Sequence, residues 1–153
     1  MTLDGAAVLV SWVAMTVLNR RLLTHWLPMV LWVALIFLLS SLTSFPEPSL
    51  PTAVGSWVVR HKRTFAHLGE YVVLALLAYR ATRTLHTRRQ AQVIVLVFCL
   101  AVAGLDEVYQ STVPGRDGDV VDVVIDGTGA AVALAIASLW QRWRERGARS
   151  SRR

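Results

Sequence analysis

The chain has 153 residues, of which 54% are apolar, a formal net charge of +6 and a single cysteine, Cys99. One cysteine excludes an intramolecular disulfide and a zinc site built from thiolates. The length and composition would suit a small soluble domain. However, the apolar residues lie in long blocks with arginines between them, and that distribution favours membrane helices.

The first 25 residues are interpreted as an N-terminal extension. Ala6–Leu18 is apolar, but its thirteen residues are short for a membrane span. No charged region precedes it and no cleavage site follows it, so a removable signal peptide is not expected. An interfacial helix, an upstream extension and a fifth span remain alternatives for this stretch.

Four apolar blocks follow, and together they predict the fold. A helix needs roughly 17–25 residues to cross a bilayer. Three blocks reach this length, while the second needs the polar residues before Phe65 to complete a span. We therefore predict an all-α integral membrane bundle of four transmembrane helices over residues 26–140, followed by a basic cytoplasmic tail, 141–153. The blocks are Trp26–Leu42, Phe65–Tyr79, Ala91–Tyr109 and Val120–Trp140.

The lysines and arginines predict the orientation of these helices. Alternate segments between the spans carry twelve on one side and four on the other. Cytoplasmic segments carry the excess, so both termini are expected in the cytoplasm of a multi-pass protein of the cytoplasmic membrane. The arginines of the tail are interpreted as a topology anchor in contact with anionic lipids. Nucleic-acid binding is not expected.

Two loops are then expected on the extracytoplasmic side. Thr43–Arg60 carries three prolines and is predicted to be extended or rich in turns. Ser111–Gly118 contains the turn sequence Pro114-Gly115. Polar chemistry is therefore expected at the outer ends of helices two, three and four.

The fourth helix places three carboxylates on one face. At about 100° per residue, Asp119, Asp122 and Asp126 fall within roughly 60° of each other. Asp119 is predicted to cap the helix N-terminus. On a different face, Gly127, Ala131 and Ala135 recur every four residues, which predicts close packing against a neighbouring helix.

Helices two and three carry further polar residues at the same level. Intramembrane ionisable groups indicate function by default, so we predict an acidic, outward-facing ligand pocket. The alternative is that these groups only neutralise each other and fix the helix register. Lys62 and Arg116 are the expected counter-ions. The predicted pocket comprises Lys62, His67, Glu70, Tyr71, Asp106, Glu107, Gln110, Arg116, Asp119, Asp122 and Asp126.

These residues follow a pattern that resembles the VanZ-like family of small bacterial membrane proteins. The pattern combines D-E-V-Y-Q at 106–110, V-P-G-R at 113–116 and G-T-G at 127–129 with single residues of helices two and four. The family takes its name from a protein linked to teicoplanin resistance. Asp126 stands where the family commonly has asparagine. The resemblance covers residues 26–140 and points to Lys62, His67, Glu70, Asp106, Glu107, Gln110, Arg116, Asp119 and Asp122.

Three functions remain open at this point. The first is binding of a cell-envelope lipid or glycopeptide-like ligand, with cations of the pocket on its phosphate or carboxylate. The second is hydrolysis or group transfer on such a lipid, with His67 or Glu107 as the base. A divalent cation would then be the cofactor, held by oxygen ligands. The third is proton or ion movement through Asp122 and Asp126. The candidate metal ligands are Asp106, Glu107, Asp119 and Asp122. The sequence fixes neither catalysis nor the oligomeric state.

Overall fold

The computed structural model describes residues 20, 22–42 and 52–150, with residues 22 and 52–60 described by their backbone alone. A π-helical turn, Leu22–Trp26, leads into the first of four α-helices. No strand occurs within these described ranges, so the prediction of an all-α fold is confirmed. The helices are α1 (Leu27–Ser40), α2 (Thr52–Thr82), α3 (Arg88–Gln110) and α4 (Val120–Ser150).

Three helical segments are long and apolar enough to cross a membrane. They are Leu23–Ser40, Arg88–Gln110 and Val120–Ser150. Charged residues up to Glu70, such as Arg63, interrupt the apolar sequence of α2. The predicted number of four spans therefore depends on whether α2 crosses the membrane.

Helix α1 lies at the edge of the bundle and exposes most of its apolar surface. Pro28 stands in its first turn, where a missing amide donor costs nothing. Only Met29, Ile36 and Ser40 are buried in this helix. An apolar helix with so little buried surface suits lipid contact.

Helices α2 and α4 make the closest contact in the bundle. A Cβ atom added to Gly129 would lie 2.6 Å from the carbonyl oxygen of Leu68, so the two backbones nearly touch. Ala130, Ala133 and Leu134 of α4 are buried beside it. The neighbouring face of α2 is buried as well, through Tyr71, Leu74, Ala75 and Ala78.

The prediction of which face of α4 packs closely against a neighbouring helix is therefore wrong. Ala131 and Ala135 are exposed. A Cβ on Gly127 would meet the Leu100 side chain of α3 and not a backbone. The true packing residues continue the 3–4 spacing that begins with Asp122 and Asp126, so carboxylates and small residues share one face.

The two loops expected on the extracytoplasmic side differ in how well the sequence predicts them. In the α3–α4 loop, Gly115 has φ 80° and the Arg116 amide donates to the Val113 carbonyl at 3.1 Å. Pro114 and Gly115 thus form the predicted turn, with type II geometry. By contrast, residues 52–60 are helical and not part of the loop expected over Thr43–Arg60. Residues 43–51, with all three prolines, lie outside the described residues.

Two other expectations concern the chain ends. Helix α4 continues to Ser150, so the basic segment that follows Trp140 is helical over its first ten residues. The apolar stretch Ala6–Leu18 lies outside the described residues. Its role as an extension, an interfacial helix or a span stays a prediction.

The close approach at Gly129 predicts a stability difference between two glycine substitutions. Gly129→Ala should lower the free energy of unfolding by about 1–3 kcal/mol, because the methyl group must push α2 away. Gly69→Ala in α2 is the control, since nothing lies within 4 Å of its added Cβ. It should be neutral or stabilising by up to about 1 kcal/mol. Unfolding in mixed micelles measures both values, and equal effects would contradict the backbone contact.

Candidate functional site

The polar residues of α2, α3 and α4 meet at one end of the bundle, which we call the acidic end. Here α1 and α3 end, α4 begins, and α2 passes through residues 61–70. Seven polar or charged side chains of the described residues at this end are more than nine-tenths buried. They are Ser40, His67, Asp106, Glu107, Gln110, Asp122 and Asp126.

The first of two connected clusters joins α1 to α3. Ser40 Oγ and Gln110 Nε2 each donate to Asp106 Oδ2 at 2.8 Å. Arg116 Nη2 donates to Gln110 Oε1 at 2.6 Å, and its Nη1 donates to the Leu42 carbonyl at 3.1 Å. Gln110 therefore separates the buried carboxylate from the guanidinium group and is polarised by both.

The second cluster joins α2 to α4. His67 Nδ1 lies 3.1 Å from Asp126 Oδ1, and His67 Nε2 lies 3.7 Å from Asp122 Oδ2. Arg63 Nη2 lies 2.6 Å from the same oxygen of Asp122, as an ion pair that lacks hydrogen-bond angles. Arg63 also reaches Gln110 Oε1 at 3.5 Å and so connects the two clusters.

Glu107 occupies the space beside the second cluster. Its Oε2 accepts a hydrogen bond from the Asp119 amide at 2.6 Å. Asp119 in turn caps α4, as predicted, by accepting from the Val121 amide at 2.8 Å. His67, Glu107 and Asp122 each offer a ligand atom, and these three atoms lie within 4.8 Å of one another. This spacing suits a divalent cation bound to nitrogen and oxygen ligands.

Several buried polar atoms at this end have no hydrogen-bond partner among the described residues. Five of them are acceptors or hydroxyls, and one is a donor, Nε of Arg116. Such atoms are uncommon in folded proteins and call for an explanation, often a bound water, ion or ligand. Besides Arg116 Nε they are Tyr71 OH, Asp106 Oδ1, Glu107 Oε1, Asp126 Oδ2 and Asp122 Oδ2, the last of which has only its ion pair with Arg63.

A cavity of about 190 Å³ opens at the acidic end between α1, α2 and the α3–α4 loop. Its polar lining is mainly cationic and contains a single carboxylate, Glu70. The sequence predicts an acidic pocket, but most of the carboxylates lie behind this wall, bound to the groups that form it. The lining residues are Leu39, Ser40, Lys62, Arg63, Ala66, His67, Glu70 and Arg116.

The structure brings the eleven residues of the predicted pocket to one end but places only four of them on the cavity wall. Lys62, His67, Glu70 and Arg116 line it. Tyr71 lies in the hydrophobic core, and Asp119 is exposed at the start of α4. The other five stand behind the wall or beside it: Asp106, Glu107, Gln110, Asp122 and Asp126.

Two residues of this end are absent from the prediction. Arg63 is the ion-pair partner of Asp122. Its spacing of four from His67 and seven from Glu70 places it on their face of α2, and that periodicity could have identified it. Ser40 binds Asp106, but a single hydroxyl at the end of an apolar block gives no distinguishing pattern.

Comparison with known proteins adds one finding. A family model described as VanZ/LLP1 matches residues 7–141. The match begins before Trp26 and so includes much of the stretch interpreted above as an extension. No curated protein and no solved structure matches the chain.

The Arg63–Asp122 ion pair predicts energetic coupling between α2 and α4. Single and double alanine substitutions at these positions should give a coupling energy of about 1–3 kcal/mol in mixed-micelle unfolding, since the carboxylate is buried. Arg88–Glu145 is the control, an ion pair with a mostly exposed carboxylate. Its coupling should stay below about 1 kcal/mol. Coupling at Arg63–Asp122 no larger than in this control would contradict the buried pair.

Proposed function

The chain belongs to the VanZ/LLP1 family, and we propose that it binds the anionic headgroup of a cell-envelope lipid or glycopeptide-like ligand at its acidic end. The cavity beside Arg63 and Arg116 is the proposed binding site. The proposal includes four membrane spans, with both termini in the cytoplasm and the cavity on the extracytoplasmic side.

The topology rests on α2 and on the distribution of cations. The three apolar segments run from Leu23, Arg88 and Val120. If α2 did not cross the membrane, α1 would end and α3 would begin on the same side of it. The lysines and arginines would then no longer be divided into twelve on one side and four on the other. Thirty-one residues of helix are ample for a tilted span.

The cation-rich wall of the cavity carries the proposal. Arg63 has 46% of its side chain exposed, so part of its guanidinium group remains accessible although it pairs with Asp122. Arg116 keeps a buried Nε donor that has no partner among the described residues. Guanidinium groups bind phosphate and carboxylate through paired hydrogen bonds. An anionic group in the cavity would satisfy that donor.

The groups behind the wall support the binding geometry. Asp122 orients Arg63, and Gln110 orients Arg116 through a 2.6 Å hydrogen bond. Side chains held in this way lose little conformational entropy when a ligand binds. Glu70 also lines the cavity and is available to accept hydrogen bonds from hydroxyl or amino groups of the same headgroup.

A water-soluble lipid phosphate tests this proposal. Dihexanoyl phosphatidic acid should bind the detergent-purified wild type, and Arg63→Gln with Arg116→Gln should weaken binding roughly 10-fold or more through lost charge-assisted hydrogen bonds. Arg146→Gln with Arg149→Gln is the control, since it removes the same charge from exposed positions of α4. Native mass spectrometry measures the bound fraction.

Two outcomes would decide against this function. Equal binding to the wild type and to both double variants would show that the phosphate does not use the cavity. Hexanoate tests a carboxylate in place of the phosphate. If the well-folded wild type bound neither compound, recognition of an anionic headgroup would be contradicted. Thermal unfolding of each variant confirms that the comparison is made between folded proteins.

A second function, metal-assisted hydrolysis or transfer on an envelope lipid, is favoured by one observation. His67, Glu107 and Asp122 are buried, and their ligand atoms converge within 4.8 Å. Glu107 Oε1 has no partner among the described residues. A divalent cation there would stand close to the cavity wall formed by His67 and would polarise a phosphoryl oxygen.

Metal titration distinguishes this second function from simple binding. If the protein is a metalloenzyme, Mn²⁺ or Zn²⁺ should bind with one-to-one stoichiometry in calorimetry, and His67→Ala should abolish the titration by removing one of three ligands. His86→Ala is the control, because this histidine is exposed in the α2–α3 loop. Heats that are unchanged in His67→Ala, or no stoichiometric binding to the wild type, would exclude the three-ligand site.

A further inference from the structure

At the opposite end of the α2–α4 contact, a groove of about 370 Å³ collects three arginines. Arg80 and Arg83 are three residues apart on α2, and Arg144 faces them from α4. Spacings of three residues place side chains on one face of a helix. The guanidinium groups of two helices therefore converge on a single groove.

Among the described residues, no acidic side chain neutralises this groove. Helix α2 contains none after Glu70, and Glu145 is the one acidic residue in the sequence after Asp126. Glu145 is not a lining residue and is paired with Arg88 of α3. Among the described residues, no ion pair or side-chain hydrogen bond engages Arg80, Arg83 or Arg144. The groove thus carries an uncompensated positive charge.

The floor and edge of the groove are suited to a lipid. Tyr79 donates from its hydroxyl to Gln141 Oε1 at 3.0 Å, which ties α2 to α4 and leaves the amide nitrogen of Gln141 as a donor. Ile136 and Trp140, which are 59% and 61% exposed, extend from the arginines along α4. Tryptophan beside arginine is typical of the membrane interface.

We propose that this groove binds an anionic phospholipid, with its phosphate between Arg80, Arg83 and Arg144 and an acyl chain along Ile136 and Trp140. A phosphate supplies the negative charge that the groove lacks, and arginine forks bind it through paired hydrogen bonds. Basic pockets between transmembrane helices on the cytoplasmic side bind such headgroups. The distribution of arginines predicts that this end is cytoplasmic. The site is separate from the cavity at the acidic end.

Lipid competition tests the proposal. The protein is equilibrated in detergent with equal amounts of phosphatidylglycerol and phosphatidylcholine, and retained lipid is identified by native mass spectrometry. The wild type should retain phosphatidylglycerol preferentially. Arg80→Gln with Arg83→Gln should reduce that preference roughly 10-fold. Arg146→Gln with Arg149→Gln should leave it unchanged, although it removes the same charge from the same end.

A single-site variant and a competing anion complete this experiment. Arg144→Gln alone should reduce the preference too, and it serves if the double variant does not fold. Equal preference in the groove and control variants would overturn the proposal and show only general attraction of lipid to positive charge. Displacement of the lipid by excess inorganic phosphate would overturn the lipid assignment in favour of a soluble phosphate.

One more variant keeps this site distinct from the proposed function. Arg63→Gln with Arg116→Gln should retain the phosphatidylglycerol that depends on Arg80 and Arg83. Loss of that lipid in both double variants would overturn the assignment to the groove, because it would place a single binding event at the acidic end.

Discussion

The cost of burying carboxylates among apolar helices is the constraint on which this structure depends. Asp106, Asp122 and Asp126 are each more than nine-tenths buried, and an ionised carboxylate without partners would be strongly destabilising there. The partners of all three come in part from another helix. Ser40 of α1 binds Asp106, and α2 supplies Arg63 and His67 to the two carboxylates of α4. Helix pairing at the acidic end is therefore specified by polar contacts, whereas apolar surface alone would leave the register free.

The same constraint explains why small residues and carboxylates share one face of α4. His67 reaches Asp126 at 3.1 Å only if the two backbones approach closely. Gly129, one turn beyond Asp126, permits that approach because it lies against the carbonyl of Leu68, the residue after His67. Close backbone packing and the buried imidazole–carboxylate contact thus support each other. A larger residue at 129 would weaken the polar contact as well as the packing.

The sequence predicts those features that depend on local order and misses those that depend on the distance between helices. Long apolar blocks identified α1, α3 and α4, and the Pro114-Gly115 turn followed from its two residues. The beginning of α2 at Thr52 is not predicted, because nearby prolines favour a loop. The predicted pocket also omits Arg63, which lies about 100° round the helix from Lys62 and pairs with Asp122. The four-residue spacing of Gly127, Ala131 and Ala135 does not show which small residues of α4 pack against the backbone of another helix.

The net charge of +6 is unevenly distributed, and the arginines at the two ends of the bundle differ in their partners. At the acidic end the arginines are held by protein groups, Arg63 by Asp122 and Arg116 by Gln110. A ligand there would meet oriented and partly neutralised donors, which would favour discrimination by geometry over strong attraction. At the other end Arg80, Arg83 and Arg144 face no carboxylate of the described residues, and anionic lipid would supply negative charge there. Helix α2 lines both the groove and the cavity, so a lipid bound in the groove and a ligand bound in the cavity would act on the same helix. An anion that drew α2 towards α4 at the groove would also favour the arrangement in which His67 and Asp126 meet at the acidic end.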